Sequence, residues 1–144
     1  MFKRWFLYSL AGLMLVGFLF RRAKPSDQAP ELAPPVAGAD GVVSVGAVRL
    51  WRDYEINEVA ADNRYKGKKL RVAGRVMSVE KNAVGQAVVH LVSGNPVFLT
   101  MATLDSGQTQ SAAALAKGQP VVVRCVGAGR VLRMPQLESC AIQP

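Results

Sequence analysis

NEVAADNRYKGKKLRVAGRV, residues 57–76, is the stretch that decides the fold of this chain. Its first half continues a helical spacing of apolar residues, and its second half alternates apolar and basic residues. The change comes at Lys66-Gly67-Lys68, a turn signal. The stretch therefore predicts the end of a helix followed by the first strand of a β domain.

The predicted strand begins at Leu70. Leu70 and Val72 point to one side, whereas Arg71 and Arg75 point to the other, as in a strand with one buried face. Gly74 interrupts this strand, and a glycine at such a position is typical of a bulge or a sharp coil of the sheet. A small barrel needs such a feature in order to close.

Upstream of the stretch, apolar residues recur at three- and four-residue intervals and predict a helix that starts at an N-cap, Ser44, and ends near Asp62-Asn63. Asp53 lies off its packing face. Trp51 and Tyr54 allow two interpretations, a ligand-stacking pair or ordinary core residues, and the periodicity favours the core. The packing face consists of Ala47, Leu50, Trp51, Tyr54, Ala61 and Tyr65.

Downstream, glycine-marked turns separate further alternating segments. A short alanine-rich helix, residues 111–117, is predicted between the third and fourth strands. This order of one helix, three strands, a short helix and two strands matches a mainly β domain, the five-stranded oligonucleotide/oligosaccharide-binding (OB) barrel. The five predicted strands are residues 70–76, 86–92, 97–101, 120–126 and 132–142.

A set of residues also resembles a known family, the tRNA-anticodon-binding-like OB-fold family of bacterial membrane or lipoprotein-type proteins. The resemblance covers roughly residues 45–143 and implies the fold, but it brings no established activity. The residues that carry it are Tyr54, Asn57, Glu58, Ala60, Ala61, Asp62, Tyr65-Lys66-Gly67-Lys68, Val72, Gly74, Val76, Lys117-Gly118-Gln119, Val121 and the two cysteines.

The N-terminus predicts a membrane anchor, residues 1–22. An apolar run, residues 5–20, lies between Lys3-Arg4 and Arg21-Arg22, and no small-x-small cleavage site follows closely. We therefore expect an uncleaved single-pass helix in the inner membrane rather than a signal peptide. Residues 23–43 carry four prolines and predict a linker, which leaves residues 44–144 as the domain.

Two cysteines, Cys125 and Cys140, lack the spacing of a zinc site. They predict a disulfide if their strands are neighbours and the compartment is oxidising, and otherwise two reduced thiols. Basic residues flank both ends of the apolar run, so the positive-inside rule does not decide the orientation. The cysteine pair favours a periplasmic domain. No metal or cofactor is expected.

The net charge is +8, of which +5 lies in residues 40–144, so an anionic partner is one interpretation and a merely soluble surface the other. We predict a membrane-anchored module that binds an envelope protein, a peptide or an anionic ligand. Binding of single-stranded or tRNA-like nucleic acid is the alternative, disfavoured because Phe98 is the sole aromatic residue after Leu70. An enzyme is not expected, because no catalytic pair is evident. The candidate contacts, each of which could also be a solvated charge, are Arg71, Arg75, His90, Lys66, Lys68 and Lys69.

Overall fold

The structure, a computed structural model, describes residues 32–144. The predicted anchor and the first part of the predicted linker, residues 23–31, lie outside the described residues. Seven strands and three α-helices occur within them. The strands are β1 Val36–Ala37, β2 Val43–Gly46, β3 Lys69–Lys81, β4 Ala87–Leu91, β5 Thr100–Leu104, β6 Pro120–Val131 and β7 Met134–Gln143, and the helices are α1 Ala47–Ile56, α2 Glu58–Tyr65 and α3 Thr109–Ala113.

Five of the strands, β3 to β7, close into a barrel. Neighbours follow the order β3-β4-β5-β7-β6, and β6 pairs with β3 to complete the circle. All of these pairs are antiparallel except β5 with β7. The mainly β class and the closed five-stranded barrel predicted from the sequence are confirmed.

Two short strands precede the barrel and were not predicted. β2 pairs in parallel with the first part of β3, from Val43 opposite Leu70 to Gly46 opposite Ala73, and β1 pairs with β2. Ser44 is therefore a strand residue, and α1 begins after Gly46 instead. The prediction that Ser44 caps the helix was wrong.

The predicted single helix is two helices that meet at Asn57. The Asn57 amide donates to the Asp53 carbonyl, which ends α1. Its side-chain Oδ1 accepts from the Ala60 amide at 3.0 Å, which caps α2. A short polar side chain competes for backbone groups in this way, so the helix breaks although the apolar spacing continues across the break.

The third predicted strand begins later than expected, at Thr100 rather than Val97. Asn95 Oδ1 accepts hydrogen bonds from the amides of both Val97 and Phe98, which extends the turn. The alanine-rich helix also begins and ends earlier than predicted. A 3₁₀ turn, Ser106–Gln108, leads into α3, which ends at Ala113.

Alternating residues of the barrel strands form the core, as the sequence pattern predicted. Leu70 and Val72 of β3, Val89 of β4 and Val123 of β6 are all buried, and Tyr65 at the end of α2 packs against the same cluster. The cluster runs through every strand of the barrel, so burial of apolar area is the main stabilising contribution.

Gly74 has a different function from the predicted one. A β-carbon at Gly74 would lie 3.0 Å from that of Ala47, so the glycine allows the start of α1 to approach the barrel closely. The bulge of β3 lies further along, between Val76 and Ser78. Within residues 32–144, none of the helices has the length and apolar content needed to cross a bilayer.

Candidate functional site

Four cations share the outer surface of β3 and β6. Lys69, Arg71 and Arg75 occupy alternate positions of β3, between the buried residues, and Arg124 lies on β6 directly opposite Arg71. We call these four residues the basic face. Three of the sequence candidates, Lys69, Arg71 and Arg75, thus lie together, and Arg124 was missed. Only the cross-strand register reveals Arg124, because its own strand reads as a run of valines.

The charges of the basic face are mostly not neutralised. Arg71 Nε donates to Gln143 Oε1 at 3.0 Å, and Arg75 Nη1 donates to the Gly118 carbonyl at 3.1 Å. Among the described residues, no carboxylate lies within 4.0 Å of the side-chain nitrogens of Lys69, Arg71 or Arg124. Like charges directly opposite each other destabilise a strand pair by about 0.2–1 kcal/mol. A bound anion would offset this repulsion.

The remaining lysines lie at the turn between α2 and β3. Lys66 is the C-cap of α2, and the aliphatic part of its side chain lies beside Gly129 of β6. Lys68 is exposed. Its amide donates to the Tyr65 carbonyl at 3.1 Å, so backbone bonds fix the turn itself.

His90 lies on β4, in another part of the barrel. Its Nδ1 is 3.1 Å from Ser78 Oγ and 3.8 Å from Glu80 Oε1, and Met101 of β5 lies opposite. Both contacts use the same ring nitrogen, so this is not a relay in which a carboxylate orients a histidine toward a nucleophile. The structure does not bring His90 together with the basic face.

The outer surface of β4 and β5 differs chemically from the basic face. Neither strand contains a lysine, an arginine, a phenylalanine, a tyrosine or a tryptophan. Phe98, which precedes β5, lies under the guanidinium of Arg133, 4.7 Å from the ring centroid. Single-stranded nucleic acids bind OB barrels by base stacking and by basic grooves, and these two strands provide neither.

One glutamate and two arginines connect the β6–β7 hairpin to α1. Glu55 accepts hydrogen bonds from both Arg130 and Arg133, and Arg130 Nη1 also donates to the Tyr54 carbonyl at 2.7 Å. The hydrogen bond from Arg133 lowers the pKa of Glu55. Arg130 Nη1 also lies 3.7 Å from Glu58 Oε2, so two carboxylates offset the charges of these two arginines. The arginines therefore contribute little to an anion-binding surface.

Asp53 holds the two helices together, although the sequence pattern placed it outside the packing face. It is buried, and it accepts from Arg49 Nε at 2.7 Å, Arg64 Nη1 at 3.0 Å and Tyr65 Oη at 2.6 Å. Burial, followed by the hydrogen bond to Asp53, raises the pKa of Tyr65 to about 12. The one feature of the sequence that could have indicated a paired Asp53 is Arg49, which lies one helical turn before it.

The aromatic pair considered as a stacking site does not form one. Tyr54 is buried, its hydroxyl donates to Asp62 Oδ1 at 3.0 Å, and its ring packs against Tyr65 at a centroid distance of 6.2 Å. Trp51 is only partly buried, but its indole nitrogen is enclosed. Tyr54 is thus a core residue, the interpretation that periodicity favoured.

Comparison with known proteins gives the family. The tRNA_anti-like family model matches residues 1–141. The chain belongs to the tRNA_anti-like family. Six solved chains match significantly. Among them is a crystal structure from Klebsiella pneumoniae subsp. pneumoniae MGH 78578, provisionally described as a nucleic acid-binding lipoprotein.

The Klebsiella structure has a fold similar to that of the present chain, with a TM-score of 0.55 at 17% sequence identity. The match covers 74% of the present chain and 98% of that one. At this identity the likeness concerns the fold alone. No curated protein matches the sequence significantly.

Proposed function

We propose that the protein is a membrane-tethered OB-fold binding module of the bacterial envelope that holds an anionic partner on its basic face. One observation carries the proposal. Arg71 and Arg124 lie opposite each other on neighbouring strands, Lys69 lies beside them, and no carboxylate in residues 32–144 pairs with the three side chains.

Other features support the tether and the compartment. The apolar run between basic residues at the N-terminus has the composition of an anchor, and the proline-containing segment after it suits a spacer. Cys125 and Cys140 form a disulfide between β6 and β7, which favours an oxidising compartment.

Crosslinking in the native envelope tests the proposal. A photo-crosslinking residue replaces Ala73, which lies between Arg71 and Arg75 on the outer surface of β3, and Thr103 of β5 serves as the control position. We expect adducts from position 73 that position 103 does not give. Equal adduct patterns from the two positions would contradict the proposal.

Charge variants then test the electrostatic part. The double variant Arg71→Gln/Arg124→Gln should lose most of the crosslinked adducts. Arg52→Gln/Lys81→Gln removes the same charge from exposed positions elsewhere and should keep them. Equal losses in both double variants would show that net charge alone determines binding.

Nucleic acid is the second candidate, favoured by the family and by the description of the Klebsiella structure. The two candidate functions can be distinguished by titrating the full chain, in a nonionic detergent, with a fluorescent single-stranded oligonucleotide. The titration is made at low and at physiological salt. We expect binding that weakens steeply with salt, because stacking residues are lacking on β4 and β5. Tight binding at physiological salt would favour nucleic acid.

A further inference from the structure

A groove of about 260 Å³ opens at the end of the basic face where β3 begins. Lys69 of β3 and Arg124 of β6 both line it. Their strands are directly paired, and in this register Lys69 lies opposite Val126, two pairs along from Arg71 opposite Arg124. The groove therefore receives two cations from neighbouring strands.

Two valines and one cysteine of a disulfide line the groove beside these cations. Val42, which precedes β2, and Val126 of β6 line it together with Cys125. Cys125 is joined to Cys140 of β7, so a disulfide fixes the two strands where they border the groove. The site is thus built on a covalently constrained part of the barrel.

The third polar residue of the groove is Ser139, which lies on a bulge of β7. Arg124 pairs with Ala141 and Val126 with Glu138, so one residue of β6 faces two of β7. Ser139 has a φ of 50°, a left-handed conformation that serine rarely adopts. Backbone outliers and bulges occur preferentially where a side chain must be redirected at a functional site. The bulge places Ser139 in the groove while Cys140 stays buried.

We propose that this groove binds a phosphate group, with Arg124 as the forked donor, Lys69 as the point charge and Ser139 as the hydroxyl donor. Arginine and lysine together neutralise a phosphate dianion, and the guanidinium matches its geometry. Val42 and Val126 offer apolar contact to the organic part that carries the phosphate. The inference rests on the proposed function, since the groove would be the anchoring subsite of the basic face.

The test uses the full chain in a nonionic detergent and inorganic phosphate as the probe, followed by NMR at constant ionic strength. We expect saturable shifts of the Arg124 Nε–H signal and of the Ser139 and Val126 amides, with no shift at Val88 of β4. Shifts that do not saturate, or that chloride reproduces, would overturn the proposal.

Matched variants distinguish phosphate binding in the groove from phosphate binding elsewhere on the basic face. Lys69→Gln and Arg124→Gln should each weaken phosphate binding by about tenfold, the loss of one charge-assisted hydrogen bond. Arg71→Gln removes the same charge opposite Arg124 but outside the groove, and should weaken it by less than about threefold. Equal losses in all three variants would overturn the assignment of the groove.

Ser139→Gly tests the hydroxyl without disturbing the backbone, because glycine adopts a φ of 50° readily. We expect the variant to keep the thermal stability of the wild type and to bind phosphate less tightly. Phosphate affinity equal to that of the wild type would contradict the assigned donor.

A phosphate can belong to a lipid headgroup or to a soluble ester, and nanodiscs distinguish the two. With a headgroup, the groove signals shift in discs that contain phosphatidic acid, whose phosphate is a monoester, and not in discs of phosphatidylcholine alone, without added phosphate. With a soluble ester, glycerol phosphate shifts them equally in both. No shift in any arm would overturn the groove assignment, whereas persistent crosslinks at position 73 would leave the proposed function standing.

Discussion

At the scale of single residues, Tyr65 and Asp53 connect helix packing to pH. The Tyr65 hydroxyl is buried and donates to the Asp53 carboxylate at 2.6 Å. Tyr65→Phe removes this donor but leaves Arg49 and Arg64 on the carboxylate. We expect the free energy of unfolding near neutral pH to fall by about 2 kcal/mol, as for a hydrogen bond to a charged group. Urea unfolding measures this.

The same variant should change how stability depends on alkaline pH. The pKa of Tyr65 is raised from 10.0 to about 12, so the folded state holds the proton more tightly than the unfolded state. This contribution is complete below pH 10 and is lost as the pH rises through 12. Tyr65→Phe should therefore lose less stability than the wild type over that interval. Equal losses would show that Tyr65 does not contribute.

Gly127 of β6 tests the contact between the helices and the barrel. A β-carbon at Gly127 would lie 2.1 Å from the Tyr65 carbonyl oxygen, a backbone atom that cannot move aside without shifting α2. Gly127→Ala should cost about 3 kcal/mol or more. Gly107→Ala, where no heavy atom lies within 4 Å, should change stability by less than about 1 kcal/mol. Similar unfolding midpoints for the two variants would contradict the predicted clash.

Residue patterns predicted which residues form the barrel core but not the buried carboxylate. The burial of Leu70 and Val72 could be predicted from the alternation, because the position of a residue along a strand determines the face on which it lies. The burial of Asp53 could not be predicted, because two of its partners, Arg64 and Tyr65, lie on α2 and reach it only after the chain turns at Asn57. A short-range pattern cannot show a contact that depends on the angle between two helices.

At the scale of secondary-structure elements, Asn57 determines where α2 begins. Asn57→Ala removes the acceptor for the Ala60 amide and should cost about 1 kcal/mol, or roughly 4 °C in Tm. Asn57→Asp keeps an acceptor at the same place and should stay close to the wild type. Thermal unfolding by circular dichroism measures both. A Tm for Asn57→Ala equal to that of Asn57→Asp would show that the cap is not stabilising.

The elements of the barrel could be predicted, whereas the strands that lead into it could not. β3 has thirteen residues and β6 has twelve, long enough for alternation to appear. β2 has four residues, and its pairing with β3 spans both helices. Such a segment has no periodicity of its own, and only the long-range pairing makes it a strand.

At the scale of the whole molecule, the disulfide restrains the barrel. Cys125 and Cys140 are fifteen residues apart, and closing a loop of this size in the unfolded chain corresponds to about 3 kcal/mol. Cys125→Ala/Cys140→Ala should lose about this much, and the wild type under reductant should lose a similar amount. Urea unfolding with and without reductant measures it. Stability of the wild type that does not respond to reductant would contradict the restraint.

The candidate site could be predicted only in part, because it is assembled from strands distant in the sequence. Arg71 and Arg75 follow from the alternation of β3, but Arg124 joins them through the β3–β6 register. His90 was a candidate contact as well, yet the barrel places it on β4, away from the basic face. Sequence alternation gives the side of a strand and not which strands become neighbours.

The pairing of β3 with β6 has a consequence for folding speed. The paired residues lie about 50 positions apart, so the barrel cannot close until nearly the whole domain has been made and β6 has found β3. Pairings of such long range fold in milliseconds to seconds rather than microseconds. Until then, the valine-rich edge of β6 is open to other chains. Arg71 and Arg124, one at each open edge, would repel identical edges of neighbouring chains during that interval, as charges on edge strands do in many β proteins.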